Sequence, residues 1–374
     1  MLYKDRKSRN PYNLPRCRLD QHAEFVWGLH LRVYDGSLGE GGGSILRLVT
    51  SFALVMQEPV KIVDIRKNRP NPGLQTQHLV GLRALADFCG GELEGDHIGS
   101  GTVFFTPANS WNSDLKISVT TAGSIGLILQ SLQVAILGVK NHSLKVQIRG
   151  GATFGKWAPT IPYVNHVTWE ILRQLNYNLE INILRHGFFP KGGAKVLATI
   201  HSPSSFKGLN LEVFKKPKIA NVLSFETKHL QRARVAERQA NTIVTNLQKQ
   251  SIDSEVVMES VEADNPGSGV LVFSKAENNV IGGDFIGERK LSAETVGKKA
   301  FERYITTLNS QSTIDPFLAD QILPIIATAS TSSVFYTPYL SNHTKTNIKL
   351  IEELLGVVIT TEKLDTRFKV SIDV

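Results

Sequence analysis

The sequence predicts an α+β protein, an α/β sandwich in which small sheets are covered by helices. A pattern of helix, strand, turn, helix and two strands recurs three times along the 374 residues. Each recurrence spans about 60–80 residues, enough for one small sheet carrying two helices on one face. Apolar residues at helical spacing alternate with short β-rich runs throughout.

The first copy opens with an apolar helix over 44–57 and a strand over 60–65. A second helix, 75–89, is stopped by Gly90-Gly91, and strands follow at 92–94 and 102–106. The second copy has helix 124–137, strand 144–148, helix 161–175, and strands 179–184 and 193–200. The third has helix 316–330, strand 333–336, helix 345–355, and strands 357–361 and 367–372. Between the second and third copies, residues 203–307 follow a pattern of their own. Strands are expected at 209–213, 221–226, 255–261 and 269–275, helices at 233–249 and 293–308, and a turn-rich stretch at 278–283. This reads as an inserted smaller α/β domain. The expected division is a basic extension (1–30), a large three-repeat domain (31–205 and 309–374) and the insert (206–308).

Composition narrows the function classes. The chain is 41% hydrophobic and 20% charged, ordinary for a globular protein. A net charge of +8 tilts the partner toward an anion, nucleic acid or nucleotide. Two cysteines, Cys17 and Cys89, cannot build a disulfide framework or a recognisable zinc site, which suits a reducing compartment. No apolar run reaches membrane-spanning length and no leader core opens the chain, so an intracellular protein without a membrane partner is expected.

The chemistry concentrates in turns. Residues 35–47 read Asp-Gly-Ser-Leu-Gly-Glu-Gly-Gly-Gly-Ser-Ile-Leu-Arg, five glycines around Glu40 with Arg47 in the helix that follows. Bare backbone N–H groups at a helix start receive phosphate oxygens, a Glu there can hold a divalent cation, and an arginine can fork onto phosphate. Taken alone, the glycines equally suit a turn that lets a helix pack closely. The turn before the second helix of each copy is also unusually polar. In the first copy it carries Arg66 and Arg69 and runs to Gln77-His78; in the second it is Arg149-Gly150-Gly151-Ala152-Thr153, running to Pro159; in the third it holds His343. Packed about a pseudo-axis, the three turns would converge on one cleft. No Gly-x-Ser-x-Gly or His-Glu-x-x-His pattern is present.

Several of these segments resemble the RNA 3′-terminal phosphate cyclase family, and they fall in its order. They are Gly-Glu-Gly-Gly-Gly-Ser-Ile-Leu-Arg at 39–47, Asn-Pro-Gly-Leu-Gln-Thr-Gln-His-Leu at 71–79 and Thr-Ala-Gly-Ser at 121–124. Further along come Arg-His-Gly-Phe-Phe-Pro-Lys-Gly-Gly at 185–193, Leu-Ala-Asp-Gln at 318–321 and His-Thr-Lys-Thr-Asn at 343–347. The resemblance implies three tandem βαβαββ-type repeats, each a four-stranded sheet with two helices, plus the insert. It implies ATP-dependent conversion of an RNA 3′-phosphate into a 2′,3′-cyclic phosphate, with ATP and Mg or Mn as cofactors and RNA ending in a 3′-phosphate as partner. His343 would be the nucleophile that takes AMP from ATP. Arg47, Arg66 and Arg69 would bind phosphates and stabilise transition-state charge. Glu40 would sit by the metal and triphosphate, Gln77 and Gln130 in the same cleft, Asp320 and Gln321 in the nucleotide site, and Pro159 and Phe317 beside the adenine.

The chain departs from the family pattern at Ser44, Lys67-Asn68, Ala152, Lys156-Trp157 and Ala194, positions that bear on substrate preference and rate. Two rivals compete with the enzyme. A non-catalytic branch of the family acts in pre-rRNA processing and ribosome biogenesis and lacks the histidine. A generic RNA-binding scaffold would use the positive charge alone. The compartment expected is the nucleus for a eukaryotic source and the cytoplasm for a prokaryotic one.

Overall fold

The computed structural model of the chain describes residues 23–26, 29–39 and 41–374, with side chains from residue 31 onward. Most of the expected basic extension, Cys17 and Glu40 lie outside the described residues.

The mixed α/β fold follows from three units with one strand order. In the first unit β2 (Leu29–Asp35), α1 (Gly43–Met56), β3 (Val60–Val63), α2 (Thr76–Cys89), β4 (Glu92–Glu94) and β5 (Val103–Thr106) give the order β2-β3-β5-β4, extended by β1 (Ala23–Val26) to five strands. The second unit comprises β6 (Asp114–Ser124), α3 (Ile125–Ala135), β7 (Ser143–Ala152), a long helix, β8 (Leu179–Arg185) and β9 (Lys195–His201), ordered β6-β7-β9-β8. Its long helix is α4 (Ile161–Tyr163), a π-helical turn (Val164–Thr168) and α5 (Trp169–Gln174) in succession. In each unit the first two strands pair in parallel and the last two pair antiparallel, with the fourth strand inside.

The insert holds β10 (Ile219–Thr227), α6 (Val235–Lys249), β11 (Asp253–Val261), β12 (Ser268–Ala276), β13 (Asn279–Ile286) and α7 (Ala293–Asn309), with sheet order β11-β10-β12-β13. The third unit then supplies α8 (Pro316–Ile326), β14 (Ser333–Thr337), α9 (Asn342–Leu355), β15 (Val358–Lys363) and β16 (Phe368–Asp373), with order β14-β16-β15.

Four element expectations are corrected. The turn-rich stretch 278–283 is most of β13: Gly282 and Gly283 suggest a turn, but there they admit close packing against Tyr163 and Val167 on one side and α7 on the other. The strand expected at 209–213 shrinks to one bridged residue, Asn210, parallel to Val334 of β14. It occupies the first-strand position of the third unit, whose sheet therefore has three full strands instead of four. The chain leaves that unit for the insert almost as soon as it enters it. The helix expected at 345–355 begins three residues earlier, because Ser341 caps it. Finally, the leading strands β2 and β6 had no place in the element reading; β6 buries Leu115, Ile117 and Val119 by strict alternation.

The main core runs from Tyr34 to Ile372 across all three units and takes in Phe206, Leu209 and Leu211 just ahead of the insert. Helix α1 packs on α2, α3 and α9, and α8 on α3 and α9. Its Ser51 hydroxyl donates to the Ser131 carbonyl of α3 at 3.0 Å. A separate core fills the space between the inserted sheet and α6 and α7. The insert meets the units through Asp315, which is fully buried and caps α8. Its carboxylate accepts from Tyr163 Oη (2.7 Å), Gly282 N (3.1 Å), Phe317 N (2.9 Å) and Leu318 N (3.0 Å). Beside it, Asp284 accepts from Thr160 N at 3.0 Å and from Arg303 Nη1 at 3.2 Å. Among the described residues, no helix is long and apolar enough to cross a membrane.

Candidate active site

The glycine-rich loop and the start of α9 meet. Gly39 has φ +57°, and a Cβ there would run into the Thr346 hydroxyl near the start of α9. The first turn of that helix carries His343, which is solvent-exposed. The turn is held from α8. The Ser341 hydroxyl donates to Asp320 at 2.8 Å, the Thr344 hydroxyl also donates to Asp320, and Asn347 Nδ2 reaches the Asp320 carbonyl at 3.4 Å. Asp320 thus clamps the residues on both sides of His343, fixing where a nucleophile at the helix start would stand.

The first turn of α1 meets the first turn of α2. Gly43, the first residue of α1, faces the His78 ring so closely that a Cβ would overlap Nε2, and Arg47 Nη1 lies beside the same spot. Arg69 Nη2 faces Gly42. Arg66, at φ +54°, donates Nη1 to the carbonyls of Asn71 (2.6 Å) and Gly73 (3.1 Å). Two guanidinium groups, Arg47 and Arg69, therefore flank the entry to α1, where backbone N–H groups are unpaired by the helix, and Arg66 is close enough to act on both Arg69 and His78.

Their electrostatics are unusual. Solvent reaches part of the Arg47 side chain, yet protein crowds the guanidinium enough that burial lowers its pKa to about 10. Burial and the neighbouring Arg69 lower Arg66 as well. Among the described residues, no carboxylate pairs with Arg47 or Arg66. Crowded guanidinium groups such as Arg47 and Arg66 favour a bound anion, which gains Coulomb energy and replaces lost hydration.

His78 is the residue sequence reasoning passed over. Its Nδ1 accepts from Gln75 N at 3.1 Å as half of a capping box for α2. That bond leaves the proton on Nε2, which faces Gly43. Burial, then Arg47 and Arg66, push its pKa down to about 3, so the ring is neutral and presents an N–H where the cations converge. The signal lay in its place next to Gln77, at the end of the polar turn and inside the 71–79 motif, where no role was assigned to it.

The remaining predicted residues fall in two groups. Gln77 Oε1 accepts from Ser124 N at 3.3 Å, tying α2 to the start of α3, and Gly155 packs against that same Ser124. The polar turns of the first and second units are thus joined through Ser124. Gln130 lies partly exposed on α3, with no side-chain hydrogen bond among the described residues. Pro159 and Phe317 lie either side of the Asp284–Asp315 joint, and the Arg303 guanidinium covers the Phe317 ring at 4.5 Å. The buried Gln321 spends its amide internally, accepting from Thr168 Oγ1 at 2.7 Å and donating to the Phe317 carbonyl at 3.1 Å. Among the described residues, no group of three His, Cys, Asp or Glu side chains is arranged to hold a metal ion.

A family model described as RNA 3′-terminal phosphate cyclase matches residues 38–361. The RNA 3′-terminal phosphate cyclase of Methanosarcina barkeri is 38% identical over 340 residues, 90% of this chain and 98% of that protein. That of Pyrococcus furiosus is 35% identical over 326 residues, 87% of this chain and 94% of its own length. That of Pyrobaculum aerophilum is 34% identical over 342 residues, covering 91% and 97%. These sources are archaeal and give the nuclear expectation no support. The matched region takes in the glycine-rich loop, the arginine turn and the start of α9, and the chain belongs to the RNA 3′-terminal phosphate cyclase family.

Proposed function

We propose that the protein is an RNA 3′-terminal phosphate cyclase that uses ATP to close an RNA 3′-phosphate into a 2′,3′-cyclic phosphate. The observation that carries this reading is the set of arginines gathered around the start of α1 and the His78 ring, with no carboxylate paired to Arg47 or Arg66 among the described residues and with the neutral His78 Nε2 facing Gly43. In the first step a ring nitrogen of His343 attacks the α-phosphorus of ATP. A P–N bond forms, the α–β P–O bond breaks and pyrophosphate leaves. An oxygen of the RNA 3′-phosphate then attacks that phosphorus, the P–N bond breaks, and the RNA carries AMP through a pyrophosphate linkage. The neighbouring 2′-hydroxyl attacks the RNA phosphorus, loses its proton to solvent, and expels AMP. Activation is needed because a bare phosphate oxygen leaves poorly; closure is fast because the hydroxyl is tethered beside its target.

Arg47, Arg66 and Arg69 stabilise the charge that gathers on the phosphates. The partial positive charge at the start of α9 favours phosphate on His343. Glu40 and phosphate oxygens would hold a divalent cation, which offsets the charge of departing pyrophosphate. Gln77 and Gln130 line the cleft, Asp320 positions the histidine turn, and Pro159, Phe317 and Gln321 form the nucleotide side. We also propose that the segment between Asn210 and α8 acts as an inserted domain.

The test is incubation with α-labelled ATP and Mg or Mn, followed by acid treatment. An acid-labile protein–AMP adduct, absent from His343→Ala, is expected. Wild type that labels no better than that variant means a non-catalytic family member.

A further inference from the structure

The geometry points to a stacking platform for unpaired nucleobases upstream of the RNA 3′ end, built from Trp157 and Phe189 with Lys156 between them. It rests on the reading of RNA as substrate. Trp157 is 88% exposed and Phe189 43% exposed, unusual for rings of this size in a chain whose other large aromatics mostly bury. Neither ring is loose by construction. Trp157 stands at φ +57°, a strained conformation for a bulky residue and one that turns the chain sharply before Pro159. Lys156 Nζ lies 4.9 Å from the Trp157 ring centre and 5.5 Å from that of Phe189. The lysine is itself anchored to Glu288 at 3.1 Å. The two loops are stitched together by the Phe154–Phe188 bridge and by the Phe189 N–H donating to the Phe154 carbonyl at 3.2 Å.

Charge continues from the platform onto the sheet. Trp157 and Phe189 lie in the loops that follow β7 and β8. At the ends of those strands Lys195 of β9 sits in register between Arg149 and Arg185, three cations abreast on one face. Like charges directly opposite destabilise a sheet. Only Arg185 is neutralised, by Asp264 at 2.6 Å; among the described residues Arg149 and Lys195 form no ion pair. Exposed π-faces beside an uncompensated cation row match a single strand, whose bases stack and whose phosphates follow the charge. The link to the chemistry runs through Gly155 and Ser124 to Gln77. A strand that stacks on the two rings is thereby placed beside the turn that Ser124 ties to Gln77. Double-stranded ends, with bases already stacked in pairs, would gain nothing from the rings.

The experiment measures binding of a single-stranded 12-mer RNA ending in 3′-phosphate by the full-length protein, beside AMP labelling from ATP alone. Trp157→Ala and Phe189→Ala should each weaken 12-mer binding by about 5–150-fold, the range for loss of one base–aromatic stack. A blunt hairpin with the same 3′-phosphate should bind the variants and wild type alike. Arg149→Gln with Lys195→Gln should flatten the salt dependence of log affinity by about 0.7 per side chain. AMP labelling should be unchanged in all of them. Trp157→Asn, which tolerates the positive φ, checks that any loss comes from the ring and not from backbone relaxation. Unchanged 12-mer binding in both ring variants overturns the platform. So does a fall in AMP labelling with RNA binding intact, since the rings would then belong to the nucleotide. Wild type that takes up no AMP but binds the 12-mer through Trp157 would overturn the cyclase reading and leave the platform standing.

Discussion

Tyr163→Phe removes one hydroxyl from the joint where the insert, the second unit and the third unit meet. The ring keeps its packing, and buried Asp315 keeps three backbone N–H donors at Gly282, Phe317 and Leu318. Burial pushes the Asp315 carboxyl up to about 6, against hydrogen bonds, Tyr163 foremost, that pull it down. Its folded-state pKa thus lies above the unfolded value. The group's favourable contribution is full below pH ~4 and is lost as pH rises through about 6, a difference of roughly 3 kcal/mol. The Tyr163 O–H bonds a carboxylate at neutral pH and a neutral acid below it. Hydrogen bonds to charged groups contribute about 1.5–3 kcal/mol and neutral ones about 1 kcal/mol. Tyr163→Phe should therefore cost about 1.5–3 kcal/mol at pH 7.5 and about 1 kcal/mol at pH 5, with Asp315 titrating higher still. Urea unfolding of wild type and variant at both pH values measures this, and Asp315→Asn should abolish the pH dependence of the difference. A loss of the same size at both pH values would refute the reasoning.

Arg47→Met should leave the ligand-free protein as stable or more stable, by at most about 3 kcal/mol, because a desolvated cation with no carboxylate partner among the described residues is removed. AMP labelling should fall roughly 100-fold or more. Destabilisation in urea would mean the guanidinium has a counter-charge. Gly43→Ala should lower stability by about 1–3 kcal/mol despite the better helix propensity of alanine, since the methyl group meets the His78 ring. His78→Ala in the same chain should recover that stability but not the labelling. Gly39→Ala should cost a similar amount from the positive φ and the Thr346 overlap together. Thr346→Ala should return only part of the loss in thermal melts, because the backbone strain persists.

The repeated helices and the late strands of each unit were legible because their apolar spacing is strong, and for α2 because Gly90 marks its end. The leading strands were harder. β6 alternates cleanly, but it follows the mostly polar run at 109–113 and leads straight into α3 with no turn signal to mark it off. Asn210 as a strand position was beyond reach, since one bridge to Val334 leaves no periodicity to detect. At the site, Arg66, Arg69 and Gln77 stood out as polar residues in a turn. His78 did not, because its role depends on a tautomer fixed by Gln75 and on a glycine more than thirty residues earlier. Tertiary proximity of that kind carries no local pattern.

The interruption of the third unit sets a schedule for folding. Leu209 pairs with Ser333 across 124 residues, so the first-strand segment of that unit is made long before its partner. At synthesis rates of about 5–20 residues per second, Phe206, Leu209 and Leu211 wait roughly 6–25 seconds for β14 to emerge. The first two units and the insert, each with a sheet of local pairings, can close in that interval. The apolar stub between them gains its strand partner only when β14 is made, near the end of synthesis.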